Sequence, residues 1–434
     1  MSSVESLHRE DDDYHPFKNR QVEKPNSTFG TLIHMVKGSL GTGIMAMPLA
    51  FKNGGLAFGA LGTVAICVIY THCVHLLAGT SQKACKRNRV PMLGYSETVE
   101  IVFSNGPTKA RFLSKFTTGF VDIMILIQSV LTCCLFLIFI AKSIHDVVYN
   151  QLGVEWDVRY YILMVVVPVI FITQIRELKY LVPISLIANA LLICSIGITL
   201  YFILSEPFTL EDKNLWPQWS TVPSFASAVL FAIQGIRYVL PVENKMKHPQ
   251  LFLSSCGVLN IAMTFLISLY TLTGFFGYAQ YGENTEGSVT LNLPANNPWA
   301  ESTRVLSGVG IMFSLGLSYY VPMEILWNHV GHKISKRWHN WGQIIARFTV
   351  LMLLAVVAIA APEISPFVGL VGSFGSSMLA ILIPVALDVL IRWPHDFGWL
   401  KWLLWKNGLL VFFGLFILVA GTYFSIKDIV AIYQ

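Results

Sequence analysis

After a polar stretch of about 27 residues, the chain resolves into long apolar runs separated by short polar connections. Roughly 20 consecutive apolar residues cross a bilayer as a helix, and eleven runs approach or exceed that length. They lie at 29–51, 54–79, 117–141, 160–175, 180–204, 222–242, 251–278, 305–327, 342–361, 364–391 and 407–426. The fourth is short, and the fifth and sixth carry prolines. Hydrocarbon offers the backbone no hydrogen-bond partner, which leaves helices or closed barrels as spanning structures. Runs this long and continuous lack the alternation of barrel strands. The pattern predicts an all-α integral membrane protein, with a disordered polar tail over 1–28 and a transmembrane domain over 29–434.

Composition sharpens this reading. Of 434 residues, 54% are hydrophobic and only 13% charged, about half the charged share of an ordinary soluble domain. So little charge cannot coat several soluble surfaces, so the main partner is the lipid bilayer. The net charge of +5 is scattered without a basic stripe, and no nucleic-acid partner is expected. Seven cysteines fall in apolar runs or near residue 85 without zinc-ligand spacing, so neither a disulfide framework nor a metal site is expected. His72 and His75, at i and i+3, lack a third ligand. No run holds paired catalytic acids or a nucleophile with its base, and GSLGTG at 38–43 lacks the Gly-Lys-Ser/Thr of a phosphate loop. An enzyme is not expected, nor a cofactor.

Lysine and arginine set the orientation, because cytoplasmic connections are enriched in them. With the N-terminus in the cytoplasm, 21 of the 30 basic residues fall on that side and six on the other. The remaining three, Lys37, Arg237 and Arg347, lie inside runs. The reading is N-terminus cytoplasmic and C-terminus extracellular or luminal. No apolar leader core precedes the first run, which is then expected to direct insertion itself.

Two runs carry internal breaks. The first reads HMVKGSLGTGIMAMPLAFKNGG from His34, with Gly38, Gly41 and Gly43 clustered mid-run and Pro48 beyond. The sixth reads FAIQGIRYVLPVENK from Phe231, with Gly235 central and Pro241 beyond. Runs one and six occupy matching positions if five helices repeat in inverted topology and an eleventh follows. Paired interruptions of this kind mark a transporter whose substrate sits between half-helices at the bilayer midplane. Freed N–H groups there can hold a carboxylate, helped by the positive end of a half-helix.

GSLGTGIMAMPLAFKNGG (38–55), VLPVENKMKHP (239–249), GYAQYGENTEGSVTLNLP (277–294) and YYVPMEIL (319–326) resemble the proton-assisted amino acid transporters of the amino acid/auxin permease superfamily. The resemblance runs from His34 to the last span. It implies eleven helices in a LeuT-like, five-plus-five inverted repeat with helices 1 and 6 broken. It also implies symport of a proton, the coupling ion, with small zwitterionic amino acids. The family's first-helix histidine, tied to proton coupling, falls on His34. Two positions depart from the family, which carries a glutamate where Gln234 stands and a small or apolar residue at Arg237. The family's external disulfide has no counterpart, since 142–159 and 279–304 contain no cysteine.

An imidazole with a pKa near ~6.5 suits proton loading on an acidic side and release in the cytosol, and an ionisable residue inside a membrane is functional by default. Ser39, Leu40, Gly41, Thr42 and Gly43 are the candidates for gripping a substrate carboxylate through N–H groups. Ile233, Gln234, Gly235 and Ile236 would offer carbonyls to its ammonium. Ser314 and Ser318, at i and i+4, either line the cavity or bond back to their own helix. Lys37 either pairs with Asp122, Glu324 or Asp388 or snorkels to the cytoplasm. Arg237 either binds a substrate carboxylate or favours a more acidic substrate through a bidentate contact, or else pairs with Glu243. The leading expectation is a proton-coupled carrier at the plasma membrane or an endosomal or lysosomal membrane. The alternatives are a transporter-like amino acid sensor with weak or no flux, or a carrier whose substrate preference is altered by Gln234 and Arg237.

Overall fold

Ser27 opens the first helix by accepting a hydrogen bond from the Gly30 N–H at 3.0 Å, the usual way a serine satisfies a free donor at a helix start. Helix α1 runs over Thr28–Ser39, and Leu40 and Gly41 then leave helical geometry. A tight 3₁₀ turn, Thr42–Ala46, leads into α2 at Met47–Gly54. These coordinates are a computed structural model describing residues 14–433 apart from 21–24, 206, 209, 211, 296, 332, 333, 336 and 395–397.

Helix α3 spans Leu56–Asn88, and α4, Tyr95–Ser104, is a short helix that the apolar runs did not signal. Then come α5 (Thr108–Leu152), α6 (Val158–Thr173) and α7 (Leu178–Ser205). The second interruption separates α8 (Val222–Ala232) from α9 (Ile236–Asn244). The chain continues through α10 (Val258–Tyr281), α11 (Pro298–Val330) and α12 (His339–Ala360). It closes with α13 (Ile364–Arg392) and α14 (Trp402–Ala431). Among the described residues there is no strand, only an isolated bridge between Asn26 and Met246. Among the described residues, nine helical segments are long and apolar enough to cross a membrane, and α6 is a shorter apolar helix.

Burial sorts these helices into layers. The most apolar windows of Phe116–Leu152 and Val222–Asn244 are each 67% buried within the protein, against 28% for α12 and α14. α5 and the α8–α9 segment are therefore central, and α12 and α14 peripheral. Large exposed apolar side chains such as Phe171 on α6, Phe412 on α14 and Val419 on α14 point outward, as a lipid-facing shell requires. α11 packs mainly against α7 and α5, α2 packs against α8 and α10, and α8 packs against α13. In α13 the stretch Val371–Leu382 is π-helical, and Gly372 there meets the backbone of Ser227 on α8 with no room for a side chain.

Part of the segment expected to be a disordered tail is built into the fold, while residues 1–13 and 21–24 lie outside the described residues. Pro16–Lys18 form a 3₁₀ turn. Arg20 reaches the carbonyls of Pro91 and Glu243 and the Glu243 carboxylate, with its side chain only 4% exposed. Asn26 donates to Lys245 O at 2.8 Å and accepts from the Lys247 N–H at 2.9 Å. The reason is local chemistry: a buried Glu243 needs a cation, and Arg20 supplies it.

Candidate functional site

The two interruptions meet. At Gly43 the backbone of Ala232 comes so close that an added Cβ would lie 2.5 Å from its Cα and 2.6 Å from its carbonyl oxygen. Gly235 in turn packs on the Ser39 hydroxyl with no space for a side chain. Each break thus presses a glycine against the other, and only glycine permits so close an approach. Two tyrosines fix the crossing. Tyr270 on α10 donates its hydroxyl to Ser39 O at 2.6 Å, and Tyr70 on α3 accepts the Gly235 N–H at 3.0 Å. Both rings are fully buried.

The first N–H groups of a helical turn and the last carbonyls of a helix have no partner inside it. In this geometry those groups belong to Gly41–Gly43 and to Ala232–Gln234, and they border one cavity of about 270 Å³. That lies just under the roughly 300–1,000 Å³ typical of small-molecule sites. Its far wall is tight: beyond Thr42, among Ala46, Phe136, Phe139 and Phe231, only about 10 Å³ of space remains, room for one water at most. The open end lies where His34, seven residues before Gly41, and Val242, seven after Gly235, line the cavity. α1 and α9 run to the same face of the protein, as the Asn26–Lys247 pairing requires.

Of the candidates read from the sequence, Ser39, Leu40, Gly41, Thr42, Gly43, Gln234, Ser314 and Ser318 line the cavity, together with His34, Lys37 and Arg237. Ile233, Gly235 and Ile236 are buried and are not among the residues that line the cavity. Ser314 donates back to Gly310 O at 2.9 Å, so its hydroxyl proton is committed to its own helix. The Oε1 of Gln234 is buried without a donor.

The proposed ion pairs are corrected. Arg237 does not meet Glu243. Its Nη1 donates to Ser129 Oγ on α5 at 2.8 Å, and its guanidinium lies 5.9 Å from the Tyr238 ring. Glu243, 1% exposed, faces away to Arg20 and accepts from Gln82 Nε2 at 3.0 Å. Six residues along a helix place the two side chains on different faces, and α9 stays helical between them. Lys37 does not reach its three suggested acids either. Asp122 accepts from Ser96 at 2.9 Å. Asp388 is held by Arg392 at 2.7 Å and Asn407 at 3.0 Å. Glu324 is exposed on α11 beside Tyr320. His75 bonds Asn260 and His72 bonds Lys406, at 2.7 and 2.9 Å.

Sequence reasoning missed Thr132 and Phe136 on α5, Ser185 and Asn189 on α7, and Tyr238 on α9, which also line the cavity. Asn189 was the detectable one, an amide four residues from a serine in an otherwise apolar run. Its Nδ2 donates to Ser185 O at 2.6 Å, leaving its carbonyl oxygen for the cavity.

Residues 24–427 match the family described as transmembrane amino acid transporter protein. A Drosophila melanogaster relative named proton-coupled amino acid transporter-like protein pathetic is 36% identical over 423 residues, covering 97% of this chain and 89% of that protein. The Caenorhabditis elegans probable amino acid transporter skat-1 is 24% identical over 433 residues, covering 96% of this chain and 92% of its own. In fold, the chain is similar to Mhp1, a nucleobase-cation-symport-1 family transporter solved in a closed conformation with bromovinylhydantoin bound. That likeness has a TM-score of 0.50 at 13% identity, over 95% of this chain and 94% of the other.

Proposed function

Since the chain belongs to the transmembrane amino acid transporter family, we propose that it carries small amino acids in symport with protons, through the cavity between its interrupted first and sixth spans. Its relatives and its fold are those of membrane transporters, not enzymes. The observation that carries the reading is the meeting of the two breaks at Gly43–Ala232 and Ser39–Gly235, beside a polar cavity of amino acid size.

The nine long segments, the short α6 and the interrupted α1–α2 together make eleven crossings. α1–α2 through α7 form one set of five, and α8–α9 through α13 the inverted second set, with α14 added. The positive-inside bias puts the N-terminal face in the cytoplasm. The cavity then opens to the cytoplasm and is shut towards the other side by Phe136, Phe139 and Phe231. A substrate α-carboxylate lies on the N–H groups of Gly41–Gly43, and its ammonium on the carbonyls of Ala232–Gln234 and on Gln234 Oε1.

His34, exposed at the cavity mouth, carries the proton. The charged groups acting on its ring are Lys37 and Lys245. Loading from an acidic exterior favours transport, and uptake falls as external pH rises through the histidine range near ~6.5. Amino-acid-evoked current recorded at pH 5.5 and 7.5 tests this. Wild type is expected to give larger currents at pH 5.5, and His34→Ala to lose that difference while still binding substrate. Unchanged pH dependence in the variant removes His34 from the proton path. Absence of any acid-stimulated flux in wild type removes symport.

A further inference from the structure

The cavity is lined by basic residues without a single carboxylate. Lys37, Arg237 and His34 face it, and no aspartate or glutamate is among its lining residues. A guanidinium or ammonium away from bulk water is costly unless an anion or several acceptors face it. The acids read from the sequence as partners for Lys37 and Arg237 do not line the cavity: Glu324 is exposed on α11, and the others are engaged elsewhere. Glu243 is engaged by Arg20 and Gln82, Asp122 by Ser96, and Asp388 by Arg392 and Asn407. Among the described residues, Arg237 spends one N–H on Ser129 Oγ and makes no ion pair, and Lys37 makes neither a hydrogen bond nor an ion pair. Both residues stand two positions from the Ser39–Gly235 contact, Lys37 before Ser39 and Arg237 after Gly235. The crossing therefore brings them to one end of the same cavity.

A neutral zwitterion does not complete this site. Its carboxylate and ammonium cancel, and the two breaks already offer backbone partners to each. Binding it leaves the lysine and the guanidinium without an anion to face. An amino acid with a second carboxylate brings the missing anion. A guanidinium fork matches a carboxylate with two parallel hydrogen bonds. Gln234, which lines the same cavity beside the second break, stands near the carbonyls that take the ammonium.

Resting on the amino acid site proposed above, we infer that this cavity selects acidic amino acids, with Arg237 and Lys37 taking the side-chain carboxylate. This departs from the neutral substrates that family resemblance implies, and the departure comes from Arg237 standing in the first turn of α9 without an acid to pair with.

Glutamate and glutamine give the discriminating pair, since they share shape and differ by one charge. Equilibrium binding of each radiolabelled amino acid to the full-length protein in detergent reads selectivity without flux. Wild type is expected to bind glutamate at least about tenfold tighter than glutamine, the return for one pair of hydrogen bonds to a charged group. Arg237→Gln is expected to bring the two within about threefold. A monodisperse sizing profile and unchanged melting of that variant report an intact fold, and Arg237→Lys should recover part of the preference. Glutamine bound as tightly as glutamate by wild type overturns the inference, and so does a glutamate preference that survives Arg237→Gln. Reconstituted uptake separates the two proposals. Proton-driven flux of glutamine or alanine without a glutamate preference sinks the acidic-substrate reading alone. A glutamate preference in binding without proton-driven flux of any amino acid sinks the carrier reading alone.

Discussion

Replacing Gly43 with alanine tests whether the crossing of the two breaks is as close as described. The added methyl would stand 2.5 Å from Ala232 Cα, 2.6 Å from its oxygen and 2.9 Å from its carbonyl carbon. Carbon atoms in ordinary contact sit about 3.5–4.0 Å apart, so the two backbones must separate by roughly 1 Å. All three obstacles are main-chain atoms, which cannot swing aside as a side chain can. Overpacking of this kind costs about 1–3 kcal/mol, and the rigid neighbours put Gly43→Ala at the upper end. Gly41→Ala is the matched control. It lies two residues away in the same break, an added Cβ there meets nothing within 4 Å, and φ is −132°, open to any residue. Thermal melting of detergent-solubilised protein, followed by the fraction that stays monodisperse, gives the stability readout. Labelled amino acid uptake normalised to surface expression gives the functional one. Gly43→Ala should melt well below wild type and lose most uptake, while Gly41→Ala melts close to wild type. Equal melting of the two variants refutes the close approach and leaves only generic glycine flexibility.

The Arg20–Glu243 pair should behave as a buried unit: Arg20→Ala strands a carboxylate that is 1% exposed, at a cost of about 3–5 kcal/mol. Arg20→Ala/Glu243→Ala should cost clearly less, and melting of all four species in a double-mutant cycle checks it, additive losses refuting the coupling. Tyr270→Phe removes the donor to Ser39 O and leaves a buried carbonyl unsatisfied, so a loss of about 1–3 kcal/mol is expected. Melting together with uptake reads it, and a neutral outcome would mean that the hydroxyl does not pin the first break.

How much the sequence revealed depends on the range of the physics involved. Hydrophobic runs are local, and so most spans were legible: α6 at Val158–Thr173 answers a run read at 160–175. Helix ends were not, because helices continue as polar structure outside the apolar run. α5 extends over Thr108–Leu152 around a run of 117–141, carrying Arg111 below it and His145 above. Helix α4 escaped notice since ten residues with few apolar positions produce no spanning signal. In the first break, glycine clustering marked the right neighbourhood, but Gly38 lies within α1 and packs against the Tyr238 ring. Pairings between distant residues left no trace at all. Arg20 and Glu243 are 223 positions apart, and nothing in their own neighbourhoods tells which cation meets which acid. That is why Glu243 looks like a partner for Arg237 in the sequence, while in the fold Arg237 donates to Ser129 on α5.

The short bridge at Asn26 joins the chain just ahead of α1 to the chain just beyond α9 through two main-chain hydrogen bonds, which hardly depend on side-chain identity. Half-rods separated by some two hundred residues are thereby yoked at their outer ends as well as pressed together at their inner ones. Neither can swing by itself without breaking those two bonds, so a tilt of one half-rod draws the other along with it.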